Sequence, residues 1–309
     1  MGEIERVLRA HHGVCTTAQL IAGGFTKHAI ARAVSRRDLE RAHRGVFVDP
    51  QLPGDVRQAV RVGGRLTCVS AARLHGLRVL HESPVLHVGV SPHATRLRGL
   101  EAASYGGGRG AGLRLHWNLP ASHAGSAASP IAGIEDCLVD LLGCLPELDA
   151  LCTLDSARET VEWMSLPPLL DHAGFGRVLA RLPANLRLVA GRSITGSQSV
   201  GETVARERFR QAGIRARAQV SLPGGAWADL LIGDRLVFEV DGEAPHSRPG
   251  AFDRDRARWA WLKAIGYAHV SFSHAQVVRD WASVESTVRM LMSRGEHVWP
   301  ARPNSGVPR

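Results

Sequence analysis

The stretch Trp227–His246 is where residue types and spacing point most directly to chemistry. Two short apolar runs, Trp227–Ile232 and Leu236–Val240, flank a Gly233-Asp234 turn signal and read as a β-hairpin. Alternation along the second strand puts Val237, Glu239 and Asp241 on one face, with Leu236, Phe238 and Val240 on the other. Asp229, on the partner strand, brings a third carboxylate to the same end. Clustered carboxylates repel one another unless a cation neutralises them, and hard oxygen ligands on an open site suit Mg²⁺ or Mn²⁺. An ion held this way makes a water nucleophilic at neutral pH and screens charge developing on phosphorus, which is what phosphodiester hydrolysis requires.

Particular elements must position those acids. Ser199–Gly213 has helical periodicity, with Glu202, Ala205, Phe209 and Ala212 on one face. Glu202 therefore lies on an apolar face, where an acid costs free energy unless something pairs with it. After the hairpin come a loop carrying His246, a helix at about Phe252–Ile265 and a strand at Ala268–Phe272. With Arg215–Leu222 as the first strand, the order is α-β-β-β-α-β. Asp234 and Glu243 read as turn residues.

This segment resembles the PD-(D/E)XK nuclease superfamily, and within it the very-short-patch-repair-like (Vsr-like) endonucleases. The likeness rests on Ser199-Val-Gly-Glu202, Ala228-Asp229-Leu230, Phe238-Glu239-Val240-Asp241-Gly242, His246, and Asp253-Arg254-Asp255-Arg256 followed by Gly266-Tyr267. It covers roughly residues 197–292, within a domain expected at 197–295, and implies a restriction-endonuclease-like core. It further implies that Asp229 and Glu239 hold the metal with help from the Val240 carbonyl, and that Glu202 completes the acidic set. The superfamily's lysine is missing, because Asp241 stands in its place, as the Vsr-like branch tolerates. Arg254, Arg258, Lys263 or His246 would then supply positive charge or proton transfer, and the sequence does not choose among them.

Residues 1–60 read as a winged helix-turn-helix. Ile4, Val7 and Leu8 share a face of a first helix, Thr16-x-x-Gln19 fits a capping box for a second, and Thr26 is a good N-cap for a third that runs to about Arg36. A hairpin follows, Leu39–Arg41 and Gly45–Val48. From Lys27 to Arg44 the chain carries six basic residues against two acidic ones. Lys27, His28, Arg32, Arg36 and Arg37 of the third helix, with Arg41 and Arg44 of the wing, are the expected contacts to double-stranded DNA. Thr17-Ala-Gln-Leu20 and Arg44-Gly45-Val46-Phe47 resemble the N-terminal domain of AbiEi-type antitoxins. Weaker likeness continues through Cys68–Gly76, Leu86–Val90 and Ile134–Asp140. That resemblance implies a promoter-binding regulator, the alternative to an endonuclease.

Residues 61–190 read as an α+β scaffold or dimerisation region, with helices at Val69–Leu77, Ile134–Cys144, Leu148–Val161 and Pro168–Arg181 and strands at Val85–Val90 and Leu113–Trp117. The glycine-rich Gly106–Gly112 lacks a Gly-Lys-Ser/Thr ending and reads as a turn. Glu135, Asp136, Asp140, Asp155 and Glu159 read as solvent-facing. The five cysteines show no C-x-x-C pair and no zinc spacing, and Cys137, Cys144 and Cys152 read as buried apolar positions. Gly191–Gln198 reads as a linker and residues 301–309 as a disordered tail.

The 309 residues exceed one comfortable core and suggest several domains in an α/β multi-domain chain. A net charge of +9 suits a polyanionic partner. No run of eighteen apolar residues occurs and the N-terminus is acidic, so the expectation is a cytoplasmic protein with no membrane partner. A homodimer, a cognate toxin, and DNA or RNA as substrate stay open at this level.

Overall fold

A computed structural model describes residues 3–95, 97–99, 112–117, 129–160, 166–242 and 251–300, with only the backbone described over 251–256. His246, residues 106–111 of the glycine-rich stretch and the 301–309 tail lie outside the described residues. The fold is mixed α/β. Two compact units divide the chain: Met1–Ala150 with Leu170–Gly191, and Leu151–Leu169 with Arg192–Arg309.

The first unit opens with α1 (Glu3–Ala10), β1 (Val14–Thr16), α2 (Thr17–Ala22), α3 (Lys27–Ser35), β2 (Glu40–His43) and β3 (Val46–Val48). Local chemistry sets these boundaries. Thr16 and Gln19 close a complete capping box on α2, and the Thr26 hydroxyl accepts from the Ala29 N–H at 3.1 Å to start α3. Leu8, Cys15, Leu20, Ile30, Leu39 and Phe47 form the core beneath an antiparallel sheet of order β1-β3-β2.

The unit continues through α4 (Gly54–Val62), β4 (Arg65–Leu66), α5 (Cys68–Leu74), β5 (Leu86–Gly89), β6 (Leu113–His116), α6 (Ile134–Leu142), the first turn of α7 (Glu147–Arg158), α8 (His172–Arg181) and α9 (Ala184–Ala190). A second sheet has the order β4-β5-β6, with β5 and β6 parallel. The expected helix from Pro168 starts instead at His172. There Asp171 caps it by accepting from the Gly174 N–H at 2.7 Å, a bond that a proline start does not provide. Pro183 follows that helix and opens α9, a helix not expected from the sequence.

In the second unit, α10 (Val200–Gln211) precedes β7 (Ala216–Ser221), β8 (Trp227–Ile232), β9 (Leu236–Asp241), α11 (Ala251–Ala264), β10 (Ala268–Ser273), α12 (His274–Arg279) and α13 (Trp281–Ser293). The sheet order is β10-β9-β8-β7, with β10 parallel to β9 and the other pairs antiparallel. Leu231 and Val237 pack with Leu262 of α11. Phe238 meets Phe209 of α10 edge-on at 5.0 Å, and Phe209 meets Trp281 at 4.7 Å.

Asp140 and Asp155, expected on solvent faces, are buried. Asp140 accepts from the Thr67 hydroxyl. Asp155 accepts from Arg206 Nη2, Thr203 Oγ1 and the Ile194 N–H, each at 2.9 Å. Partners this far away in sequence satisfy the oxygens of a buried carboxyl group, and helical spacing does not reveal them. No described helix is long and apolar enough to cross a membrane.

Candidate active site

The hairpin of β8 and β9 is zipped only near its turn. Its backbone pairs run Ile232↔Leu236, Leu231↔Val237 and Leu230↔Phe238, and the next position, Asp229 opposite Glu239, is not a ladder pair. There the side chains take over. The Val240 N–H donates to Asp229 Oδ2 at 2.9 Å, and the Asp229 N–H donates to Glu239 Oε1 at 3.4 Å. Meanwhile β8 stays paired with β7 out to Trp227, and β9 stays paired with β10 out to Asp241. The sheet thus opens between its two central strands, and two acids line the opening.

Glu202 reaches the same opening from the first turn of α10. Ser199 caps that helix by accepting from the Glu202 N–H at 3.1 Å, and the Glu202 side chain is 6% exposed. One of its oxygens, Oε2, accepts from the Gln198 N–H and from Gln219 Nε2, both at 2.9 Å. The helix can lie this close because of Gly201, where an added Cβ would stand 2.6 Å from Val240 Cγ1. A buried ion network secures the rest of α10. Glu207 pairs with Arg206 at 2.9 Å and with Arg210 at 3.0 Å, and Arg206 also holds Asp155.

Electrostatics follow from this crowding. Burial first, and then the charge of Asp229, push Glu202 up to about 7 and Glu239 up to about 8. Burial raises Asp229 as well, against the Val240 amide bond and Arg258, which lower it. Acids in this state hold protons or a cation near neutral pH. Arg258 of α11 is the nearest described counter-charge, with Nη2 at 3.8 Å from Glu239 Oε2. Its Nε is buried without a hydrogen-bond partner among the described residues.

The other expected residues divide. Asp241 is exposed at the end of β9, at the mouth of the opening, and its charge is felt at Asp229. Val240 enters the site through its amide. Lys263 is exposed on α11, five residues and so roughly 140° of helix rotation from Arg258, which turns it away from the acids. Arg254 lies on the backbone-only part of α11, and His246 lies outside the described residues.

Gln219 is a site residue that the sequence reading missed. It lies in β7 opposite Asp229, between the pairs Ala218↔Leu230 and Val220↔Ala228, with φ of 49°. A left-handed residue inside a strand is strained, and such strain persists where surrounding contacts hold it. Here it turns the amide onto Glu202. In the first unit, Lys27, His28, Arg32, Arg36, Arg37, Arg41 and Arg44 are all exposed on α3, its C-terminal turn and the β2–β3 hairpin. The Arg41 guanidinium lies 5.5 Å from the centre of the Phe47 ring.

No family model matches this chain, and no curated protein matches it. Among solved structures, the homing endonuclease I-Bth0305I catalytic domain aligns over 32% of this chain and 97% of its own, at 17% identity and a TM-score of 0.28. Overlap this loose carries no argument for fold or chemistry.

Proposed function

We propose that the protein is a DNA-binding, metal-dependent endonuclease whose site is the opening between β8 and β9. The observation that supports this most is the convergence there of three acids, the buried Glu202 and the partly buried Asp229 and Glu239, with Asp241 at the mouth. Acids crowded together and withdrawn from solvent are disfavoured as carboxylates with no cation, yet the fold provides three separate elements to hold them. The donor set is all oxygen, which fits Mg²⁺ or Mn²⁺. Asp229 and Glu239 would hold the ion, with the Val240 carbonyl beside them, and the bound ion would lower the pKa of a water and screen charge on phosphorus. Glu202, near 7, is matched to accept or release a proton at neutral pH. Arg258 fills the electrostatic role of the missing lysine.

Substrate delivery is assigned to the first unit. Elements α1–α3 with the β2–β3 hairpin are read as a winged helix, with α3 in the major groove and Arg41 and Arg44 along phosphates. Purified protein should nick supercoiled plasmid with Mg²⁺ or Mn²⁺, while Asp229→Asn and Glu239→Gln should not. All three should bind duplex DNA equally. Unchanged cutting by either variant refutes the site. Duplex binding with no cutting by the native protein, across both ions and both single- and double-stranded substrates, favours a regulator that keeps the fold without the reaction.

A further inference from the structure

A second cluster lies in the first unit, among residues the reading above does not use. Cys68 begins α5, His87 is on β5, His116 ends β6, and Cys144 follows α6. One ligand atom from each lies within 4.8 Å of all the others. His87 Nδ1 is 3.1 Å from His116 Nε2 and 3.8 Å from Cys144 Sγ. Tetrahedral bonds of about 2.3 Å to sulfur and about 2.0 Å to nitrogen place ligand atoms roughly 3.3–3.8 Å apart, so these positions need to move only a little.

Two further features point the same way. His87 Nε2 lies 3.1 Å from Ser83 Oγ, the outer hydrogen bond that fixes a metal-binding imidazole with its other nitrogen free. Cys68 has φ of 52°, a left-handed conformation that costs a non-glycine residue free energy and that a bond at its sulfur would hold.

We propose that Cys68, His87, His116 and Cys144 form a structural zinc site. Two thiolates and two imidazoles select Zn²⁺ over the hard ions suited to the acidic opening. Four protein ligands also leave no position for water or substrate, so the ion is structural and joins α5, β5, β6 and the end of α6. This inference does not depend on the nuclease reading.

The test uses the full-length protein, purified under reductant and assayed for metal by mass spectrometry, then reloaded with Co²⁺. One zinc per chain is expected, and the cobalt form should show intense visible bands of tetrahedral geometry with thiolate charge transfer. Cys144→Ser and His116→Ala, both at partly exposed positions, should lose the metal, while Asp229→Asn should keep it. The cobalt spectrum of the native chain decides the matter even if those variants fail to fold. Folded native protein that takes up no stoichiometric zinc or gives a weak octahedral cobalt spectrum overturns the proposal. So do folded Cys144→Ser and His116→Ala variants that retain full metal.

Discussion

Glu202→Gln isolates the electrostatic cost of the acidic opening. The substitution keeps the side-chain shape and an oxygen to accept from Gln198 and Gln219, so it removes charge alone. Glu202 is held at about 7, against 4.5 for an ordinary glutamate. The folded chain thus keeps its proton after the unfolded chain has released it. Below 4.5 both states are protonated and the charge plays no part. As pH rises from 4.5 to about 7, native stability falls, and above that the loss is complete. At about 1.4 kcal/mol per pH unit, the loss is about 3 kcal/mol. For a unit of this size that is roughly 6–12 °C in Tm. In buffer freed of divalent ions, Glu202→Gln should therefore match the native protein at pH 4.5–5 and melt well above it at pH 8.5. Millimolar Mg²⁺ or Mn²⁺ should narrow the gap by stabilising the native acids. Tryptophan fluorescence suits the assay, because Trp227, Trp259, Trp261, Trp281 and Trp299 all belong to the second unit. Parallel melting curves for the two proteins from pH 4.5 to 8.5 would refute the reasoning.

Three other outcomes are expected. Gly201→Ala drives a methyl into Val240 and should destabilise the second unit by about 1–3 kcal/mol, read by the same melts, with plasmid nicking reduced in the protein that stays folded. Gln219→Ala removes a hydrogen bond that lowers Glu202, so the pH midpoint of the native-versus-Glu202→Gln stability gap, measured in that background, should move upward. Arg32→Ala with Arg36→Ala should weaken duplex binding and reduce the slope of log affinity against log salt by about 1–2, measured by fluorescence anisotropy at several salt concentrations.

What could be read from the sequence was local. Alternation on either side of Gly233-Asp234 marks the hairpin, and Thr16, Thr26 and Ser199 announce their helices because capping is decided within four residues. Gln219 could not be found this way, since its role comes from a left-handed backbone in mid-strand that composition does not announce. Arg258 and Lys263 looked equivalent until helical phase separated them. Cys144 was misread as an apolar helical position. It lies past the end of α6, and its partners Cys68, His87 and His116 come from three other elements with no metal-binding interval between them. Asp155 is buried because Arg206, Thr203 and the Ile194 amide meet it in space, and one-dimensional spacing carries no trace of those meetings.

The turn at Gly233–Arg235 has a consequence for how the site is inherited. Leu230 pairs with Phe238, and Asp229 stands opposite Glu239 only because the loop has its present length. A slip of one residue along β9 would turn Glu239 to the opposite face and put Phe238 or Val240 in its stead. Chemistry and core therefore share one register. Quality control that removes chains with a misaligned hairpin also removes chains with scattered acids, and loop insertions here should be rejected as folding defects before activity is ever tested.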